Sequence, residues 1–308
     1  MKVRKTGLLI CGFLLLIRTY PLAARELNVV VDIAPTRAIV AEVAGSGHGI
    51  VTLVPDGVSP HDFALRPSQV RALVKADLIV WMGPVATPGL RKIMTRPEFA
   101  AKALPLNRIR GTHLLTVRRA GLNLVQPRSV GVESERFDPH SWLDPENAVV
   151  WATAISAEFA RTDPENAEDY ELAAKALTAR INGVKSDIRA GLQSLPSLDF
   201  VQFHDGFQYF ENAFGLVPLG MATAGDMEET SLKTIAALSA LLKASGGACV
   251  FTANDREAAR ASMLLNIGNV RAGRIDPLGR NIVPGAFDYP TLLQSIADGF
   301  SACFSGGE

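Results

Sequence analysis

The chain has 308 residues, 48% of them hydrophobic and 20% charged, with equal numbers of basic and acidic residues. That composition is enough for a sizeable buried core and suggests one or two compact domains. Lys2, Arg4, Lys5 and Arg18 fall in the first 24 residues, where no acid occurs, so the remainder holds 27 basic residues against 31 acidic. A mildly acidic chain without a basic block argues against nucleic-acid binding.

The N-terminus, MKVRKTGLLICGFLLLIRTYPLAA, places basic residues before a short apolar run and a small-residue end. This is the layout of a secretory signal peptide, here residues 1–24 with cleavage after Ala24. The apolar run is too short for a permanent membrane span. Removal of the signal removes Cys11 and leaves Cys249 and Cys303, an even number suited to an oxidising compartment. Either these two form a bridge from a strand to the last helix, or both are buried free thiols.

Downstream, apolar β-branched runs alternate with helical patterns. LNVVVDI, GIVTLVP and DLIVWMG predict strands in the first half, with PTRAIVAEVAG and PSQVRALVKA as helices between them. In the second half DFVQFH, LVPLGMA, ACVFTA and VRAGRID predict strands, and SLKTIAALSALLKASGG and NDREAARASMLLNIG predict helices. The alternation implies the α/β class, with mostly parallel sheets covered by helices. Ligands of such sheets bind beyond the carboxyl ends of the strands.

The middle of the chain predicts helix only. Asp144-Pro145-Glu146-Asn147 and Asp163-Pro164-Glu165-Asn166 repeat one start signal: an Asp to cap, a Pro for the first turn and a Glu at the positive end. The second helix is expected to join two lobes as a rod. The expected organisation is an N-terminal lobe over residues 25–163, a linking helix over 164–196 and a C-terminal lobe over 197–308. Residues 111–137 carry several arginines without a period and are expected to form an exposed, solvated loop. Within it HLLTV could be a strand.

Three of the five histidines fall where such folds place ligands. His61 follows GIVTLVP and a turn, His140 precedes a capped helix in FDPHSWLDP, and His204 ends DFVQFH. Asp276, in RIDPLG, also ends a strand and serves either as a ligand or as a turn-initiating residue. Three neutral imidazoles with a carboxylate or water make a tetrahedral zinc set. Asp205 and Gln208 are expected to form a capping box. Asp62 either orients a histidine or closes a turn. His48 and His113 are expected on surface loops, away from a metal.

The segments GVSPHDFALRPSQVRALVKADLIVWMGP, DPHSWLDPENA, FHDGFQYFENAFGLVPLG and RIDPLG, in this order, resemble the zinc-binding periplasmic proteins of high-affinity zinc ABC transporters, the cluster A-I metal-binding solute receptors. The resemblance runs from about residue 27 to the end. It implies two lobes, each a mostly parallel sheet flanked by helices, joined by a long rigid backbone helix. It implies Zn2+ carried as cargo in the cleft by His61, His140 and His204, and Cys249 bridged to Cys303. It also implies a monomeric periplasmic protein that hands zinc to a membrane permease and is not an enzyme.

Two features depart from the family pattern. Many zinc members carry a His-rich acidic loop before the second metal histidine; here GLNLVQPRSVGVESERF has no histidine. Some have an acidic residue directly before the first histidine; here it is Pro60, so water or Asp276 must complete the site. In manganese and iron relatives the third position is typically glutamate, and His204 favours zinc over manganese. The competing functions are manganese or iron binding on the same scaffold, an exported zinc hydrolase, and an exported adhesin. Against the hydrolase, the chain has no HExxH motif and no evident general base.

Overall fold

The computed structural model describes residues 26–122, 127–195, 199–224, 230–282 and 287–305. The signal segment lies outside the described residues. Among those described, no helix is long and apolar enough to cross a membrane.

The first-half strands form where β-branched runs were expected: β1 (Asn28–Val31), β2 (Gly49–Thr52) and β3 (Leu78–Trp81), with a short β4 (Ala103–Pro105) at the edge. They build one parallel sheet in the order β2-β1-β3-β4. Its central strands are apolar on both faces because helices cover both, as in parallel sheets generally. Next come β5 (Leu114–Leu115), β6 (Gly121–Leu122) and β7 (Ser129–Val130). β5 and β7 pair antiparallel as a small ribbon. The second half supplies β8 (Phe200–His204), β9 (Gly220–Thr223), β10 (Ala248–Thr252) and β11 (Val270–Arg274). These form a sheet in the order β11-β10-β8-β9-β6. It is parallel except for β6, which crosses from the first half to pair antiparallel with β9.

The strand period of two divides the residues of the second sheet between two clusters. Phe200 and Phe251 pack edge-on or tilted against Phe300 and Phe304 of the last helix, Tyr289–Phe304. Val201, Phe203 and Val250 turn the other way, onto Leu238 and Leu242 of the helix Leu232–Ala244. The first of these clusters is continuous with the core of the first sheet, so both halves share one apolar interior.

The expected rod is an α-helix over Ala167–Gln193, preceded by a single 3-10 turn at Pro164–Asn166. Its 27 residues span about 40 Å at ~1.5 Å per residue. Tyr170, Ala174, Leu177, Ile181, Ile188 and Leu192 form its buried stripe, at helical spacing. The helix Pro145–Thr162 packs alongside it, and its start is as expected: Asp144 accepts the Glu146 N–H. The second start is different. The Asp163 carboxylate caps no backbone N–H and instead takes the Tyr170 hydroxyl at 2.7 Å and the Asn166 amide at 2.6 Å. NDREAARASMLLNIG, read as one helix, breaks at Ala261 into Asp255–Arg260 and Ser262–Leu265.

Cys249 and Cys303 are disulfide-bonded across 54 residues, with Cα atoms 6.2 Å apart, tying the last helix to β10. In the chain-entropy view a loop of that size stabilises by about 4 kcal/mol. Replacing both cysteines by serine should lower the unfolding free energy by about that amount and move the urea midpoint down accordingly. Unchanged urea melts of the double variant would show that core packing alone holds the helix in place.

Candidate metal centre

A cleft of about 450 Å³ opens between the carboxyl ends of the two sheets, with His61, His140, His204 and Asp276 in its walls. Each is placed by local chain chemistry. His61 sits in a 3-10 turn, Pro60–Asp62, whose proline presets the backbone and whose start is capped by the Ser59 hydroxyl. His140 ends the loop before the turn Ser141–Leu143. His204 is the last residue of β8 and is buried.

The hydrogen bonds fix two of the ring tautomers. His61 Nδ1 lies 3.0 Å from the Ala86 carbonyl oxygen, which can only accept, so Nδ1 carries the proton. The Asp138 carboxylate accepts both the backbone N–H and the Nδ1–H of His140, at 2.8 and 2.9 Å. Both rings, when neutral, therefore present bare Nε2 lone pairs. Those two Nε2 atoms face each other at 3.3 Å. Lone pairs so close repel unless a cation or a proton lies between them. Two nitrogens bound tetrahedrally to zinc, each at about 2.0–2.1 Å, are about 3.3 Å apart.

His204 completes the group less tightly. Its ring centroid is 5.1 Å from that of His140, and its Nδ1 is 3.7 Å from the Glu257 carboxylate. Among the described residues no three acidic, histidine or cysteine side chains are already closed into a metal cage. Gly206 leaves room for the His204 ring: a Cβ there would come within 2.9 Å of its Cε1.

Asp276 lines the same cleft but is engaged. Its carboxylate accepts the backbone N–H groups of Leu278 and Arg280 and the Arg280 guanidinium, at 2.6–3.2 Å. The turn that carries it is pinned to the His140 loop, because Trp142 Nε1 donates to the Pro277 carbonyl at 2.7 Å. The Tyr289 hydroxyl in turn donates to the Trp142 carbonyl.

Several residues outside the motifs hold this arrangement. Arg118, expected in a solvated loop, is 6% exposed and buried in the second half. Its guanidinium binds the Asp205 carboxylate through Nε, at 3.0 Å, and through Nη2. Its Nη1 lies 2.7 Å from Glu211. The capping box expected of Asp205 and Gln208 does not form: Asp205 is taken by Arg118, and Gln208 donates to Asp138 at 2.8 Å and to the Thr116 carbonyl at 3.1 Å. Burial raises the Glu211 carboxyl to about 7 against the opposing charge of Arg118. Burial also acts on Asp138, but the His140 ring and Arg118 outweigh it and hold that carboxyl below its ordinary range.

Asp62 is exposed. His48 accepts the Leu27 N–H at 3.2 Å and meets the Tyr170 hydroxyl at 3.1 Å, beside the start of the rod helix. His113 binds Asp144 at 2.9 Å through Nδ1 and Ser129 at 3.0 Å through Nε2. Neither lines the cleft.

Comparison with known proteins agrees with this architecture. Residues 29–303 match the family model described as zinc-uptake complex component A, periplasmic. The chain is 28% identical to the high-affinity zinc uptake system protein ZnuA of Brucella suis, over 92% of this chain and 93% of that protein. It is equally 28% identical to the ZnuA of Paracoccus denitrificans, with the same coverage. Among solved structures it superposes on the periplasmic zinc-binding protein TroA of Treponema pallidum with a TM-score of 0.75 at 19% identity, over 91% of this chain and 99% of that one. A zinc-bound ZnuA carrying a 138–173 deletion gives 0.72 at 24% identity, over 91% and 98%. At these identities the structural likeness speaks for the fold.

Proposed function

Because the chain belongs to the family of periplasmic zinc-uptake components, we propose that His61, His140 and His204 bind Zn2+ in the cleft and that the loaded protein delivers it to the permease of a zinc ABC transporter. Zinc is the cargo, and the family is one of solute-binding transport proteins. The observation that carries the ligand set is the pair of facing Nε2 atoms, 3.3 Å apart with their Nδ1 atoms committed elsewhere. His204, whose ring centroid is 5.1 Å from that of His140, supplies the third nitrogen. Water takes the fourth position unless Arg280 releases Asp276. A nitrogen-rich set suits zinc; a carboxylate at the third position would shift preference toward manganese. The protein works in the periplasm after loss of residues 1–24, as a monomer of two lobes, 25–163 and 197–308, around the linking segment 164–196.

Metal analysis after exposure of the metal-stripped protein to equal zinc, manganese and iron(II) tests this reading. About one zinc per chain is expected, with little of the others. Manganese retained as well as zinc would replace zinc import with manganese import. Turnover of ester, peptide or phosphate substrates by the zinc-loaded protein would replace transport with hydrolysis.

A further inference from the structure

The cleft is far larger than its cargo. A water molecule occupies about 30 Å³ of liquid, and small-molecule sites run from about 300 to 1,000 Å³. At about 450 Å³ the cleft belongs to the second class. An ion held among three rings with one water uses a small part of it.

The remaining wall is charged in a specific way. Arg256, Arg260, Arg274 and Arg280 line it, together with Asp62, Asp255, Glu257 and Asp276. Four cations against four carboxylates leave the formal charge of the wall balanced. With neutral histidines, a bound divalent ion adds two positive charges that no remaining acid in the wall offsets. The acids nearest the metal are committed: Asp276 is held by Arg280, Glu257 accepts the Ala253 N–H and the Asn254 amide, and Asp138 accepts both His140 N–H groups. Guanidinium groups present paired N–H donors that match carboxylates in two-point contact. Arg256 and Arg274 stand at the exposed rim, Arg274 with an exposed acidic partner, Asp255.

On the zinc-binding reading above, we propose that the cleft takes zinc together with a small di- or tricarboxylate. One carboxylate of this co-ligand completes the coordination of the metal, and the others lie against the arginines of the second-half wall. It balances the added charge and fills space that a bare ion leaves to solvent.

The test is equilibrium dialysis of the metal-stripped protein with radiolabelled zinc, radiolabelled citrate, or both. Wild type should retain one zinc alone, one citrate with zinc, and no citrate without zinc. A double variant, Arg256→Ala with Arg274→Ala, should keep its zinc and bind citrate at least tenfold more weakly. In the arm holding both, zinc retained with no citrate beside it, or zinc stripped off by citrate, would overturn the co-ligand and leave zinc binding standing. Citrate retained equally without zinc, or equally by the double variant, would also overturn it. Failure to retain zinc in the citrate-free arm would instead overturn the metal site itself.

Discussion

Replacing Arg118 by alanine is expected to destabilise the fold by about 3–5 kcal/mol, the range for removing one partner of a buried charged group. The guanidinium holds two buried carboxylates, Asp205 and Glu211. Without it both lose their counter-charge, and Glu211 keeps the Gln202 amide, which donates at 2.5 Å. The pH dependence should change in a defined sense. The Glu211 carboxyl, already raised to about 7 in the folded state, would rise further, while its unfolded value stays near about 4.3. Between those values the folded state then binds more protons than the unfolded one, so stability falls as pH rises. The deficit of Arg118→Ala should therefore be larger at pH 7 than at pH 5. Urea melts at the two pH values would show this. Near-wild-type stability at pH 7 would mean that the acids are solvated and the network is not a buried one.

His140→Ala should weaken zinc binding by more than about a hundredfold. Loss of an outer partner of a metal-bound histidine commonly costs about 10–100-fold, and removal of the direct bond exceeds that. His140 lies between the other two rings, at 5.1 Å from each centroid. Its loss also frees Asp138, whose carboxylate is otherwise spent on the His140 N–H groups and Gln208. Asp138→Asn keeps the shape but removes the charge that holds the ring tautomer, so it should fall inside the 10–100-fold range. Titration calorimetry should order the proteins wild type, Asp138→Asn, His140→Ala. His113→Ala, which touches no residue of the cleft walls other than through the fold, should stay with wild type. Wild-type affinity in His140→Ala would remove this histidine from the site.

The parts of the molecule legible in the sequence are those set by local pattern. β1, β3, β8 and β10 were readable because their apolar runs are buried on both faces. The rod helix was readable because its buried stripe keeps helical spacing over the whole of Ala167–Gln193. The three histidines stood out because each lies at an element boundary within its own motif. What failed did so where distant partners overrode local rules. Arg118 meets Asp205 across 87 residues, and nothing within residues 111–137 marks it as buried. The same contact removed the expected Asp205–Gln208 box. The Tyr170 hydroxyl, one turn into its helix, claimed the Asp163 carboxylate from the cap. β6 has two residues, too few for any period to show, yet it carries first-half chain into the second sheet. The Asp138–His140 pair, two residues apart, could have been found: a carboxylate at that spacing within a turn can reach Nδ1.

The central claim is a zinc ion held by three imidazole nitrogens, and X-ray absorption at the zinc edge tests it most directly. On protein carrying one equivalent of zinc, three imidazole nitrogens at about 2.0–2.1 Å and one further light atom are expected. His204→Ala should lose one imidazole from that shell. A sulfur shell near about 2.3 Å, or an oxygen shell without imidazole scattering, would contradict it.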